Sequence, residues 1–183
     1  MDNSPRRFAL VIDSRKCINC KACNVACRAE NEVPLGKNRN WINEEHRGIY
    51  PRLSANSDPE QCHHCMQPAC VRVCPTGASY QRKDGIVAIN ASECVGCRYC
   101  MIACPFDARF FREDTGVVEK CDFCSRRVDR GEIPACVETC PSKVRLFGDL
   151  MDGNSAASEM LGKRQYRVKK AEAGTGPQLY YLI

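Results

Sequence analysis

The residues able to do chemistry in this chain are its cysteines, 16 among 183 residues, and they fall without remainder into four groups of four. Cys17, Cys20, Cys23 and Cys27 stand in CINCKACNVAC, and Cys62, Cys65, Cys70 and Cys74 in CHHCMQPACVRVCP. Cys94, Cys97, Cys100 and Cys104 make CVGCRYCMIACP. The last group, Cys121, Cys124, Cys136 and Cys140, lies in CDFCSRRVDRGEIPACVETCP, where eleven residues separate its second cysteine from its third. Thiolates bind zinc and iron–sulfur clusters, and thiols can also pair as disulfides, so the spacing has to decide. Cysteines two or three residues apart in every group would close only short, strained disulfide loops. A zinc ribbon takes two C-x2-C pairs per metal and has no use for a triplet with a remote fourth ligand. A radical site of the C-x3-C-x2-C type is not supported, because no C-x3-C pair is followed by a cysteine at that spacing.

The first and third groups read C-x2-C-x2-C-x3-C, and the second, third and fourth end in Cys-Pro. Together these are the bacterial ferredoxin signature, in which the fourth cysteine ligates the neighbouring cluster. A cubane needs three thiolates converging from one side, and a loop with two residues between ligands wraps around it. The third and fourth cysteines are i and i+4, one helical turn of about 5.4 Å, so a short helix leaving one cluster reaches the next at once. Proline after the last cysteine ends that turn because it has no N–H to donate. Four [4Fe-4S] clusters, with iron held through all sixteen cysteines, are therefore expected. Four groups can pair in three ways, and the spacing of the intervening segments permits either a tandem or a nested arrangement.

The formal charge of +5 does not imply nucleic acid, because it counts every thiol as neutral. Sixteen thiolates around four cores of about +2 each would bring the sum to roughly −3, so the basic excess reads as compensation for buried anionic clusters. Arg6-Arg7 and Arg126-Arg127 read as solvated basic faces, and no basic stripe interleaved with aromatics occurs. With 44% apolar residues the chain can build one compact unit or two small ones, without room for a separate catalytic domain. MDNSPRRFALVID does not read as a signal peptide, and apolar runs such as FALVI fall far short of the roughly 20 residues that cross a bilayer. Membrane attachment is expected only through a partner.

The elements that must position the cysteines are legible in outline. TGASYQRKDGIVAIN and ARFFREDTGVVEK each read as two short strands around a turn, so a cysteine group plus a hairpin recurs as an internal repeat. FALVI and VRLFG are strand-like and can pair with each other. Residues 31–61 read as a long connector carrying Trp41, Tyr50 and Pro51, suited to an interface or to covering a cluster. A helix is expected from near Ser155, and the apolar tail Leu179 to Ile183 is expected to dock on a partner.

The four-group order, the C-x-H-C in QCHHCMQPACVRVCPTGASYQRKDGIV, the block CVGCRYCMIACPFDARF, and C-x2-C-x2-R-x3-G-x2-PACVETCP resemble one family over nearly the whole chain. That family is the iron-sulfur electron-transfer subunits of the dimethyl sulfoxide reductase family of molybdopterin oxidoreductases, with the closest look to polysulfide and thiosulfate reductase beta subunits. The resemblance implies an α+β double ferredoxin fold of two nested ferredoxin-like units. The outer unit would take residues 1–57 and 107–150, with connector 31–61; the inner unit 58–106; a C-terminal helix and docking tail 151–183. It implies one cluster on Cys17, Cys20, Cys23 and Cys140, and a second on Cys27, Cys121, Cys124 and Cys136. A third would sit on Cys74, Cys94, Cys97 and Cys100, and a last on Cys62, Cys65, Cys70 and Cys104, in that order from catalytic to membrane subunit.

The resemblance further implies a non-catalytic wire between a molybdopterin catalytic subunit and an integral membrane quinol/quinone subunit, peripheral on the cytoplasmic membrane and facing the periplasm, with the cytoplasmic face as the alternative. Cys97 is intact where some relatives have lost it, which favours four cubanes over a [3Fe-4S] cluster. Relatives that reduce arsenate tend to carry a long insertion between the third and fourth groups, and some membrane formate dehydrogenase subunits a C-terminal membrane helix. Neither is found here, favouring a sulfur compound such as polysulfide or thiosulfate; the alternatives are a free-standing soluble polyferredoxin, or the same wire in an arsenate, tetrathionate, dimethyl sulfoxide or formate enzyme. Arg28 departs from the Cys-Pro pattern, so the first helix should run on through AENE. His64 matches the family's C-x-H-C position, near the last cluster. Lys16, Arg98 and Arg127 are candidates for positive charge beside clusters, and the insertion SRRVDRGEIPA for a subunit contact.

Overall fold

The computed structural model describes residues 6–183, so Met1 to Pro5 of the stretch read for a leader lie outside the described residues. Strand β1 (Phe8–Ile12) leads into the first cysteine group, whose last two cysteines ride on α1 (Ala22–Asn31). Strands β2 (Asn40–Ile49) and β3 (Arg52–Gln61) precede the second group, which carries α2 (Ala69–Arg72) and the hairpin β4 (Ser79–Gln81) and β5 (Val87–Ile89). The third group carries α3 (Tyr99–Ile102) and the hairpin β6 (Arg109–Arg112) and β7 (Val117–Lys120). The fourth holds α4 (Ser125–Val128) and α5 (Ala135–Glu138), followed by β8 (Arg145–Asp149), α6 (Ala156–Lys163), β9 (Tyr166–Arg167) and β10 (Leu179–Leu182).

FALVI becomes one of the two inner strands of a four-stranded sheet ordered β8-β1-β10-β9. It runs antiparallel to β8, Leu10 opposite Phe147, and parallel to β10, Leu10 opposite Leu179. Ala9 to Ile12 are wholly buried, which is why the run is apolar without alternation: both faces are covered. Leu10, Ile12, Phe147, Leu179 and Tyr181 pack into the same core as Cys62, Cys121 and Phe123. Val11 and Leu182 face the other way, onto Ala157 of α6. That helix starts where the sequence suggests: the Ser155 hydroxyl accepts the Ser158 N–H at 3.2 Å and donates to the Asp149 carbonyl at 2.7 Å. Gly148 permits the approach, because a Cβ there would lie 2.8 Å from that of Ser155.

Two expectations change. The connector is no open loop but the β2–β3 hairpin, paired from Asn40↔Gln61 to Ile49↔Arg52. Its base is buried at Asn40, Glu60 and Gln61, its tip exposes Ile49, Tyr50 and Leu53, and Trp41 packs on the main core. The apolar tail is also used inside the chain, since β10 buries Leu179, Tyr181 and Leu182 against β1 and its neighbours. A buried carboxylate locks it there: Glu60 accepts from Tyr181 Oη at 2.6 Å, His63 Nε2 at 2.7 Å and Lys169 Nζ at 2.6 Å. Burial alone would raise the Glu60 carboxyl, but these donors hold it down at about 2.

The two short hairpins and the long first helix form as expected. Helix α1 runs through AEN, and the guanidinium of Arg28, standing where proline would have ended it, ties down the following loop at the carbonyls of Pro34 (3.1 Å) and Lys37 (2.9 Å). The repeat extends to the backbone. Single 3-10 turns end just before Cys17 and Cys94, and α1 and α3 are entered through left-handed residues, Lys21 (φ 59°) and Arg98 (φ 64°). Helices α2 and α5 are entered instead through Pro68 and Pro134.

Because the tail is core rather than a docking peptide, Leu179→Ala should destabilise the isolated protein by roughly 2–5 kcal/mol, the usual loss for a buried leucine. Chemical unfolding of the protein without partners measures this, and an unchanged midpoint would show that β10 contributes nothing to it.

Candidate metal centres

The loops that present the thiols are bent in the same way four times. The second residue between the first two cysteines of each group has positive φ: Asn19 (56°), His64 (42°), Gly96 (66°) and Phe123 (56°). Glycine is needed only at the third, where a Cβ would stand 2.5 Å from the Gly116 carbonyl oxygen. Non-glycine residues resist this conformation, and among the ten that adopt it only Glu32 and Lys170 lie away from the cysteine loops. The bend turns backbone N–H groups toward sulfur. Asn19 N–H serves Cys17, and Phe123 N–H stands 3.5 Å from Cys121 Sγ. A second bend follows each Cys-Pro, at Gly77, Asp107 and Lys143. It aims Ser79 N–H at Cys74 Sγ (3.3 Å), Ala108 N–H at Cys104, and Val144 N–H at Cys140 Sγ (3.3 Å). Such runs of N–H groups make concavities for anions.

The thiols gather in sets drawn from different groups. Cys27 faces Cys121, Cys124 and Cys136 across one cavity, with Asn31 Nδ2 at 3.7 Å from Cys27 Sγ and 3.8 Å from Cys124 Sγ. Cys74 joins Cys94, Cys97 and Cys100 around another, beside Arg98 and Arg109. Cys62, Cys70 and Cys104 crowd the thiol of Cys65, and Cys23 and Cys140 stand beside Cys17. Cys20, in the same loop as Cys17, is exposed, as is Cys97. Among the described residues no three of His, Cys, Asp and Glu converge tightly enough to grip a single metal ion. Two of the sets, that of Cys27 and that of Cys74, line cavities, an arrangement that suits a cubane.

Bringing sulfurs together in a dry interior makes ionisation costly. Burial, and then Cys136 and Cys124, push the Cys27 thiol up to about 12. Burial pushes Cys65 and Cys136 up to about 11 and raises Cys121 well above an ordinary thiol. Cys74 is the exception: burial raises it, but the Ser79 N–H and the Thr76 hydroxyl more than offset this, leaving it below the ordinary value. A ligating thiolate at Cys27, Cys65, Cys121 or Cys136 needs compensating positive charge, which a four-iron core supplies. The two four-thiol cavities, each with an N–H donor on a sulfur, therefore fit the cofactor expected from the spacing.

The cations proposed from sequence are mostly occupied elsewhere. Arg127 pairs with Glu30 (3.3 Å) and Glu138 (2.5 Å), tying α1 to α5, and Lys16 is exposed beside Asp13. Arg98 stacks over the Phe111 ring at 3.8 Å. The buried cations are Arg109, Lys120 and Arg145, with Arg39 held by Glu119 and Asp122. Nothing in their local sequence marks them, because their burial follows from hairpins and strands closing over the thiol sets. The two adjacent histidines of the second cysteine group, His63 and His64, are buried joints. His63 stacks on Phe106 and His64 on Phe123, each with ring centroids 3.6 Å apart, and His64 Nδ1 accepts the Val87 N–H at 3.1 Å. The second cysteine group is thereby fastened to the third and the fourth. Most of the insertion 125–135 is exposed, with Val128, Pro134 and Ala135 turned inward.

Comparison with known proteins agrees with this geometry. Residues 53–150 match the 4Fe-4S dicluster domain family, and residues 16–79 match a second family of the same description. A tetrathionate reductase subunit of Salmonella typhimurium is 42% identical over 186 residues, covering 99% of this chain and 74% of that protein. A component of the polysulfide reductase of Wolinella succinogenes is 39% identical over 180 residues, 97% and 94% of the two chains. A putative dimethyl sulfoxide reductase iron-sulfur subunit of Halobacterium salinarum is 40% identical over 205 residues, 96% and 78%. With small sheets, short helices and two dicluster matches, the architecture is a double ferredoxin fold bearing clusters of the 4Fe-4S type. The protein belongs to the iron-sulfur electron-transfer subunits of the dimethyl sulfoxide reductase family of molybdopterin oxidoreductases.

Proposed function

We propose that this chain is a non-catalytic electron relay carrying four [4Fe-4S] clusters in two nested ferredoxin-like units, between a molybdopterin catalytic subunit and a membrane quinol/quinone subunit. The observation that carries the reading is that thiols of different groups adjoin one another, Cys23 beside Cys136, Cys62 beside Cys121 and Cys70 beside Cys100, while Cys20 and Cys97 are exposed. The ligand sets would be Cys17, Cys20, Cys23 and Cys140; Cys27, Cys121, Cys124 and Cys136; Cys62, Cys65, Cys70 and Cys104; and Cys74, Cys94, Cys97 and Cys100. Bound there, each cluster supplies a one-electron couple, while the chain sets spacing, burial and N–H···S bonding.

The order proposed here is not the one the resemblance implies. Cys62 is among the thiols that crowd Cys121, and Cys70 and Cys100 share one core. These adjacencies support the Cys62 set as third and the Cys97 set as last, at the opposite end from Cys20. Apolar rims surround both ends: Ile18 and Val25 are each 67% exposed near Cys20, and Val95, Tyr99 and Ile102 are 66%, 59% and 85% exposed near Cys97. Exposed apolar rims on a chain this charged suit fixed partners better than a free polyferredoxin. Two of the relatives above are named for tetrathionate and polysulfide reductases, which supports a sulfur compound as the complex's substrate. Among the described residues no helix is long and apolar enough to cross a membrane. Attachment would run through the membrane partner, on the periplasmic face.

Crossed ligation is tested by spectroscopy of single-cysteine variants. Cys27→Ala and Cys124→Ala should alter the same cluster signal in electron paramagnetic resonance spectra, while Cys20→Ala alters a different one. If Cys27→Ala instead matched Cys20→Ala, the nested ligand sets would be wrong. The relay's two ends can be separated in the assembled complex. Val25→Glu and Ile102→Glu should each release one partner, a different one in each case, with iron content unchanged; retention of both partners by both variants would count against these rims as docking surfaces.

A further inference from the structure

Two buried arginines are left over from the site and its packing. Arg109 and Arg145 each stand five residues past the last cysteine of their group, Cys104 and Cys140, and each opens a strand, β6 or β8. They are 5% and 2% exposed. Each spends one terminal nitrogen on a neutral oxygen: Arg109 Nη2 donates to Ser79 Oγ at 2.8 Å and Arg145 Nη1 to Gln61 Oε1 at 2.6 Å. The other terminal nitrogen, Arg109 Nη1 or Arg145 Nη2, has no oxygen or nitrogen partner. Among the described residues neither guanidinium is paired with a carboxylate, although an unpaired buried charge is strongly unfavourable.

What lies around them is sulfur, and from two sets in each case. Arg145 lies beside Cys136 and Cys121 of one set and Cys23 of its neighbour. Arg109 lies beside Cys70 and Cys62 of one and Cys100 of the other. Lys120 is unlike them, because its ammonium donates to the backbone carbonyls of Val87 and Cys121. We infer that Arg145 and Arg109 are bridging counter-ions, each shared by two adjacent clusters, Arg145 by the outer pair and Arg109 by the inner pair. The inference rests on the ligand sets proposed above. A four-iron core of about +2 inside four thiolates is an anion that gains a further negative charge on reduction. A shared cation therefore stabilises the reduced state of both clusters and raises both potentials. It also screens the charge of one reduced cluster from the next, so that an electron arriving on the second is repelled less.

The test uses the cluster-loaded chain in its complex, with anaerobic redox titration followed by electron paramagnetic resonance and iron analysis alongside. Arg145→Gln should lower the midpoints of the two clusters altered by Cys20→Ala and Cys27→Ala. The shift expected is at least tenfold in the reduced-to-oxidised ratio, about 59 mV for a one-electron couple, with the other two midpoints in place. Arg109→Gln should do the mirror image, and Arg→Lys at either site should keep midpoints near wild type. Full iron with unmoved midpoints, or an equal shift of all four, would overturn the inference. If a glutamine variant loses its clusters, the lysine variant decides: clusters restored by lysine support a charge requirement, and clusters still missing assign the arginine to shape alone. Failure of the ligand sets themselves is distinct, since it would appear in the cysteine variants before any arginine is changed.

Discussion

The structure depends on one electrostatic constraint: groups that must carry negative charge are packed together where water cannot screen them. Cys27, Cys121, Cys124 and Cys136 are all buried, and burial holds these thiols above the ordinary range, with neighbouring thiols adding to it at Cys27, Cys121 and Cys136 and the carboxylates of Asp122 and Glu30 at Cys124. Such a set is tolerable only if positive charge and oriented donors meet it. Iron supplies most of the charge. The chain supplies the rest through N–H groups turned inward at Asn19, Phe123, Ser79, Ala108 and Val144, and through guanidiniums buried without carboxylates.

The backbone accepts local strain to meet that demand. Left-handed residues at Asn19, His64 and Phe123 are individually unfavourable, at roughly 1–3 kcal/mol each, and they persist because surrounding structure holds them. His64 and Phe123 stack on one another, so two strained residues from different groups support each other. The long-range elements serve the same end. Strand β1 and the tail strand β10 close a sheet over Cys62 and Cys121, and the β2–β3 hairpin delivers Gln61 to Arg145.

Much of this was legible from the cysteines. Their spacing carried the ligand types and the cofactor; the turn signals in RKDG and EDTG carried the two short hairpins; FALVI and VRLFG carried the β1–β8 pair. What escaped reading depended on contacts distant in sequence. NWINEEHRGI has little apolar alternation because most of β2 stands in solvent, so its ten-residue pairing with β3 left no hydrophobic pattern. LYYL read as a docking surface because nothing local reveals the parallel partner 169 positions upstream, Leu10 for Leu179. Arg109 and Arg145 looked like any strand-initial arginine, and only the closure of their strands over two thiol sets buries them. Positive φ at Asn19 is an ordinary asparagine preference, whereas at Phe123 no side-chain preference announces it.

The most direct test of a four-cluster chain is a count of iron and acid-labile sulfide on anaerobically purified protein, with Mössbauer spectra to identify the cluster type. The sixteen thiols predict about 16 iron and an equal amount of sulfide per chain, all in four-iron clusters. A colourless protein with about four zinc and no sulfide, or iron for only one or two clusters after full reconstitution, would contradict it.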